Sequence, residues 1–304
     1  MGEERAVQER ILLSGASGML GTALSVALGA RYERLRLVRR APARVGEIEW
    51  HPEAARPIAQ VDWLEGVSAA IHLSGANVAG RRWTPGYKRE LVESRVASTK
   101  ALAEVLARLQ QKPQVLLVAS GTGIYGNRGD ELLDESSAVG SGFLADLCHA
   151  WEAAARPAVD AGIRVVHLRC GLVMGKGGAL EKMLPAFRLG LGGQLGNGKQ
   201  WMSWVALDDL VNVVWLALMD ASLAGPVNVV APNAVTNAGF ARALGRAVRR
   251  PAVLPAPAFA LRLALGEMAD EALLAGQRVV PKKLMDAGFR FQYPEIEGAL
   301  RAAV

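Results

Sequence analysis

Short apolar runs at residues 11–13, 35–38, 69–73, 115–119 and 165–168 alternate along the chain with longer segments, at 18–28, 88–110 and 143–161, whose apolar positions return at helical spacing. The short runs are rich in Val, Ile and Leu and read as buried strands. Helices of ten or more residues between them imply parallel βαβ units, because only a crossover can join parallel neighbours. The predicted fold class is therefore α/β, a doubly wound parallel sheet. After Gly171 the pattern changes to a glycine-rich stretch at 189–204, then a helix at 209–219 and a short strand at 226–230. The last seventy or so residues carry helices and prolines but little strand pattern. This predicts a main domain over residues 9–175, completed by 205–232, and a smaller C-terminal substrate-side lobe built from 176–204 and 233–304.

The segment ILLSGASGMLGTAL, residues 11–24, sets glycines at 15, 18 and 21 between a predicted strand and a predicted helix. Glycine allows the tight turn, the approach of a pyrophosphate to the backbone and close packing of helix on strand, while the helix N-terminus attracts phosphate charge. With the flanking elements and a second strand in place, the segment predicts a dinucleotide-binding Rossmann site at Gly15, Ser17, Gly18, Met19, Leu20 and Gly21. The bland alternative is a tight turn with no ligand. The second strand, LRLVRR, ends in Arg39 and Arg40, where an NAD site usually presents an acid to the ribose hydroxyls. A guanidinium binds a 2′-phosphate bidentately, so the cofactor read from this end is NADP(H), with Arg39 the first candidate and Arg40 the second. The same arginines count against S-adenosylmethionine, whose ribose also usually meets an acid there.

Composition narrows the classes further. With 304 residues, 51% of them hydrophobic, the chain can bury a large core. Its net charge of +6 is scattered without a basic run or interleaved aromatics, which argues against nucleic acid as a partner. The first ten residues, MGEERAVQER, lack the apolar stretch of a secretory signal, and no apolar run is long enough to span a bilayer, so no membrane is expected and the default location is cytoplasmic. Cys148 and Cys170 lack metal-ligand or CxxC spacing and read as buried thiols, and the four histidines share no ligand spacing, so no metal is expected. His72 and His167 sit inside strand runs and read as core residues. Residues 193–199, GQLGNGK, fit a phosphate-loop spacing, but Gln200 follows where Ser or Thr is needed; the stretch reads as a flexible loop near a substrate. Asp208 and Asp209 read as caps of the following helix, and Glu131, Asp134 and Glu135 as a solvated cluster.

Blocks along nearly the whole chain carry a resemblance: GASGMLG (15–21), HLSGANVAGRRW (72–83), ESRVASTKAL (93–102), ASGTGIYG (119–126), FLADLCHAWEAAA (143–155), the long block at 168–210 and the one at 266–300. They are similar to the epimerase-like family of atypical extended short-chain dehydrogenases/reductases, the last two blocks being specific to it. The resemblance implies NADP(H) on the glycine turn and Arg39, with Leu73, Ser74, Gly75 and Ala76 passing along the cofactor. It also implies Ser120, Cys170 and Gly171 near the nicotinamide, a small-molecule substrate entering beside the lobe with Trp201 and Trp204, and a homodimer. The superfamily's usual Tyr and Lys, four residues apart on a helix, fall here on Phe143 and Leu147, and neither can transfer a proton. Tyr125, with Ser120 and Thr122, is the candidate catalytic set, and a packing role for Tyr125 stays open beside it. Two functions follow: an oxidoreductase or epimerase acting on a small carbonyl or sugar-like substrate, or a non-catalytic NADP(H)-binding sensor or scaffold.

Overall fold

The computed structural model describes residues 9–304; residues 1–8, most of the charged N-terminal segment, lie outside the described residues. Seven strands make one sheet: β1 (Arg10–Ser14), β2 (Glu33–Val38), β3 (Glu47–Glu49), β4 (Ala69–His72), β5 (Val115–Gly121), β6 (Arg164–Cys170) and β7 (Gly225–Val229). All pairings are parallel and the order across the sheet is β7-β6-β5-β4-β1-β2-β3. The order reverses between β1 and β4, and a ligand crevice opens outside the carboxyl ends of strands at such a point.

The helices are α1 (Met19–Leu28), α2 (Pro85–Arg108), α3 (Phe143–Ala153), α4 (Arg156–Asp160), α5 (Gly178–Arg188), α6 (Leu207–Met219), α7 (Asn237–Ala247), α8 (Ala258–Leu265), α9 (Lys282–Asp286) and α10 (Ile296–Ala303). On one face of the sheet Leu102 and Leu106 of α2, Trp151 of α3 and Ala158 of α4 pack with Leu12, Leu37, Leu116 and Val118. On the other, Leu24 and Leu28 of α1 and Leu210, Val213 and Val214 of α6 pack with Ile11, Leu13, Ile71, Leu117 and Val227. Successive residues of one strand thus enter opposite cores, which is why the strands read as unbroken apolar runs.

Helix α2 begins where Thr84 accepts the Tyr87 N–H at 3.2 Å, with Pro85 supplying a first-turn φ that needs no donor. The helix expected over 143–161 is two helices, because Pro157 has no N–H to continue the ladder. In the lobe, Leu184 and Phe187 of α5, Phe240 and Leu244 of α7 and Leu300 of α10 gather around Trp204. The same C-terminal segment also reaches the main core: Leu284 of α9 is fully buried there, with Phe289 and Phe291 packed beside it.

Candidate functional site

The glycine turn is built as a cradle. Gly15 has φ +70°, and a Cβ there would lie 2.8 Å from the Leu73 carbonyl carbon; a Cβ on Gly21 would lie 2.2 Å from the Gly15 oxygen. Both positions therefore require glycine, the first also because its backbone is left-handed. Ser17 and Gly18 are exposed at the turn, Met19 and Leu20 open α1, and no side chain caps that helix among the described residues. Its first N–H groups thus remain available to an anion, as a bound pyrophosphate requires.

The two arginines at the end of β2 part ways. Arg40 makes two 2.9 Å bonds to Glu47, a buried carboxylate that the hydrogen bond from Arg40, then the Ala43 N–H, hold at a pKa of about 2. Arg39 is exposed and makes no ion pair among the described residues. Arg40 is thus committed to the fold in this conformation, and Arg39 is the one with its fork open.

Behind the turn lies a buried relay. Ser98 Oγ gives its one proton to the Ser94 carbonyl at 2.7 Å and so accepts from His72 Nε2 at 3.1 Å; Nδ1 is then left to accept from Ser14 Oγ at 2.7 Å, which also accepts the Leu73 N–H at 3.2 Å. The bonds assign a neutral imidazole protonated at Nε2, and burial pushes its pKa down to about 3. His72 is a core residue as read, and the relay ties α2 and β1 to Leu73. Next along the crevice Ser74, Gly75 and Ala76 follow β4, with the Ala76 N–H on Ser94 Oγ at 3.0 Å.

At the end of β5, Ser120 donates to Glu152 Oε1 at 2.8 Å, and Arg169 grips both oxygens of Glu152, each at 2.8 Å. Arg169 also donates to Tyr125 Oη at 3.0 Å, and Tyr125 donates to Asn228 Oδ1 at 2.7 Å. Asn228 is held in turn by Val280 and by Glu135. Burial lowers the affinity of Arg169 for its proton, but Glu152 outweighs this and holds its pKa above the usual value. Burial likewise raises the Tyr125 phenol, against Arg169 and Asn228. Tyr125 is 0% exposed with its oxygen engaged on two sides, the geometry of the packing role left open beside its candidacy for catalysis. Ser120 and Thr122, each 7% exposed, flank the same turn.

Several sequence readings land elsewhere. Phe143 sits 5.1 Å from Trp83 under the Lys88 ammonium, and Leu147 is buried in the same cluster, so the superfamily's Tyr and Lys positions are apolar packing here. A Cβ on Gly171 would meet the Ser203 oxygen at 2.6 Å, so the lobe's own backbone accounts for that glycine. Burial raises the Cys170 thiol to about 12 and that of Cys148 to about 11, and neither is a thiolate near neutrality. Trp204 is fully buried, while Trp201 lies partly open beneath Arg278 and donates to Asp130. The loop at 193–199 is pinned by backbone bonds between Gln194 and Ala256 and between Gly196 and Ala256. Asp209 makes no cap; it accepts the Gln292 and Tyr293 N–H groups. Glu135 is similarly a buried-side anchor for the Asn228 N–H. Glu152 and Arg169 were missed, although a charge inside each apolar block, HAWEAAA and VVHLRC, is the available signal: a buried charge needs a partner.

Residues 11–231 match the NAD-dependent epimerase/dehydratase family, and residues 256–303 match a domain of unknown function, DUF1731. The chain belongs to the NAD-dependent epimerase/dehydratase family. A member from Mycobacterium tuberculosis named epimerase family protein MT2273 is 45% identical over 294 residues, 95% of this chain and 96% of the relative. The crystal structure of human epimerase family protein SDR39U1 with NADPH superposes at a TM-score of 0.88 with 35% identity, covering 96% of this chain and 98% of that one. A nucleoside-diphosphate sugar epimerase from Corynebacterium glutamicum, also 35% identical, superposes at 0.78 over 96% of this chain and 57% of its own. The family match ends two residues past the sheet's last strand, and the DUF1731 match takes in α8, α9 and α10, the part where strand patterning fades. Among the described residues no helix is long and apolar enough to cross a membrane.

Proposed function

We propose that the chain binds NADP(H) and acts as an oxidoreductase or epimerase on a small carbonyl or sugar-like substrate in the cytoplasm. The observation that carries the reading is the cradle: two glycines that admit no side chain, an uncapped helix start and an open Arg39 at the adjoining strand end. The human relative crystallised with NADPH supports the same cofactor. In this reading the backbone of Gly15, Ser17, Gly18, Met19, Leu20 and Gly21 holds the pyrophosphate, Arg39 takes the 2′-phosphate, and Leu73, Ser74, Gly75 and Ala76 run along the dinucleotide toward Ser120, Cys170 and Gly171. When bound, the nicotinamide supplies the hydride chemistry. In the oxidising direction Ser120 accepts the proton of the substrate hydroxyl as its own proton moves to Glu152 Oε1, and the reverse transfers return it; Thr122 adds a second hydroxyl at the turn, and Tyr125 helps hold Arg169 in place.

The test is calorimetric titration of the full chain with NADPH and NADH, with Arg39→Ala alongside. Saturable NADPH binding, weakened about tenfold or more in the variant while NADH is unchanged, is expected from loss of a charge-assisted contact; no binding of either dinucleotide would sink the reading. A second reading, a sensor or scaffold that binds NADP(H) without turnover, is favoured by the apolar Phe143 and Leu147 positions. Transfer of deuteride from labelled NADPH to any carbonyl in a substrate panel would decide against it.

A further inference from the structure

Among the buried arginines around this site, one lacks a carboxylate partner among the described residues. Arg95 lies on the buried face of α2, in line with Leu91, Ser98, Thr99 and Leu102, and is 8% exposed. Its guanidinium donates from Nη2 to the Ala76 carbonyl at 2.8 Å and from Nη1 to the Leu91 carbonyl at 3.2 Å, and its Cζ stands 5.1 Å from the centre of the Trp151 ring. A Cβ on Gly75 would lie 3.0 Å from that Cζ, so the guanidinium presses directly against the backbone of residues 75–76. It makes no ion pair with a carboxylate among the described residues, whereas its buried neighbour Arg169 is matched by Glu152 and the Lys88 ammonium by Glu267. An arginine does not shed its proton to escape burial, and two carbonyls and an aromatic face replace only part of its hydration. A Met or Leu would fill the space without that cost.

The fold places this charge on one half of the crevice. In a doubly wound sheet the dinucleotide lies across the carboxyl ends of the strands with its pyrophosphate at the reversal of strand order. Here the reversal is between β1 and β4, and Arg39 marks the β2 side as the adenosine end, so the nicotinamide half falls on the β4 and β5 side. Residues 75–76, against which Arg95 packs, follow β4. Reduction removes the nicotinamide's positive charge, so NADPH carries one more net negative charge than NADP⁺ with otherwise the same groups. A fixed, desolvated cation on this side discriminates between the two redox forms.

We propose that Arg95 is a specificity-determining residue whose uncompensated charge makes the site select NADPH over NADP⁺. The inference rests on the NADP(H) reading of the site and goes beyond it by naming the redox form the protein holds. Arg95 also latches the 75–76 backbone through the Ala76 carbonyl, and that structural role acts on both redox forms alike.

The two roles separate in one experiment: dissociation constants of NADPH and of NADP⁺ for the full chain, in the wild type, Arg95→Gln and Arg95→Lys, at one ionic strength. The wild type is expected to bind NADPH the more tightly, Arg95→Gln to lose about tenfold of that ratio, as removal of a nearby charge in a poorly screened site implies, and Arg95→Lys to keep most of it. A ratio unchanged in Arg95→Gln, with both forms weakened together, overturns the proposal and leaves the latch alone. A wild-type ratio near one overturns it without any variant, which settles the matter if circular dichroism shows Arg95→Gln unfolded. Binding of both forms without discrimination brings down this inference only; binding of neither brings down the cofactor reading with it.

Discussion

Gly21 shows how much a single residue can reveal before any fold is known. Its spacing from Gly15 and Gly18 identified the turn, and the contact that enforces it, an added Cβ 2.2 Å from the Gly15 oxygen, is backbone on backbone and has nowhere to yield. Gly21→Ala is expected to cost about 1–3 kcal/mol, as overpacking against a rigid neighbour does, and to abolish NADPH binding, measured by urea unfolding and calorimetry; a stable variant with intact binding would mean the turn is softer than this packing. His72 was legible as a core residue, but its relay was not, because its partners Ser14 and Ser98 are 58 and 26 residues away in the chain. Its native pKa of about 3 lies below the unfolded value of about 6.5, so between these the unfolded state binds the extra proton and stability falls as pH drops. The partly buried His167, whose pKa desolvation also lowers, adds with the same sign. The expected loss attributable to His72 is about 1 kcal/mol per pH unit below pH ~6. Urea midpoints from pH 7.5 to 5 should therefore fall less steeply in His72→Gln; parallel slopes would show that His72 does not resist protonation. Tyr125 marks the limit at this scale: a phenol in a glycine-rich loop reads as available chemistry, and only the three-dimensional partners Arg169 and Asn228 show that it is spoken for.

Elements were legible where period and boundary signals agreed. Thr84 and Pro85 begin α2, whereas Pro157 divides the 143–161 segment, whose apolar periodicity reads as one helix. The start of α3 carries no such local signal. Gly142, at φ +107°, offers no side chain to cap it, and the cap comes from the far end of the chain: Glu271 accepts the Phe143 N–H at 3.1 Å and the Leu144 N–H at 3.0 Å. A carboxylate there also meets the positive end of the helix. Because α3 supplies Glu152 in its last turn, this cap links the lobe to the group beside Ser120. Glu271→Gln retains one acceptor and removes the charge, and is expected to lower stability by about 1 kcal/mol, with Glu271→Ala costing about 1–2 kcal/mol. Thermal unfolding of the two variants checks this order; equal stability in all three proteins would mean the N–H groups find water as readily as they find Glu271.

Across the whole molecule, the sheet was readable because buried parallel strands and crossover helices write the same local pattern repeatedly, whereas the lobe is held by contacts that leave no period in the sequence. Asp209 illustrates the difference. It looks like a helix cap in sequence, yet it is fully buried and accepts the Gln292 and Tyr293 N–H groups at 2.7 and 3.0 Å, fastening α6 to the C-terminal segment. Leu284 seals the same seam within the sheet core, Arg278 and Val279 pair with Leu132 and Leu133, and the Trp204–Ala206 strand lies against Leu172–Met174. The two regions therefore share buried surface and hydrogen bonds along several crossings of the chain, and exposing one strands polar groups of the other. Such sharing makes unfolding cooperative across the boundary. Scanning calorimetry of the full chain is expected to show one transition, displaced upward as a unit by NADPH, since a ligand at about 100 times its dissociation constant adds about 2.7 kcal/mol to whatever unfolds with the site. Two resolved transitions, with only the first or only the second moved by NADPH, would mean that the seam at Asp209 and Leu284 is weaker than the cores it joins and that the lobe folds on its own.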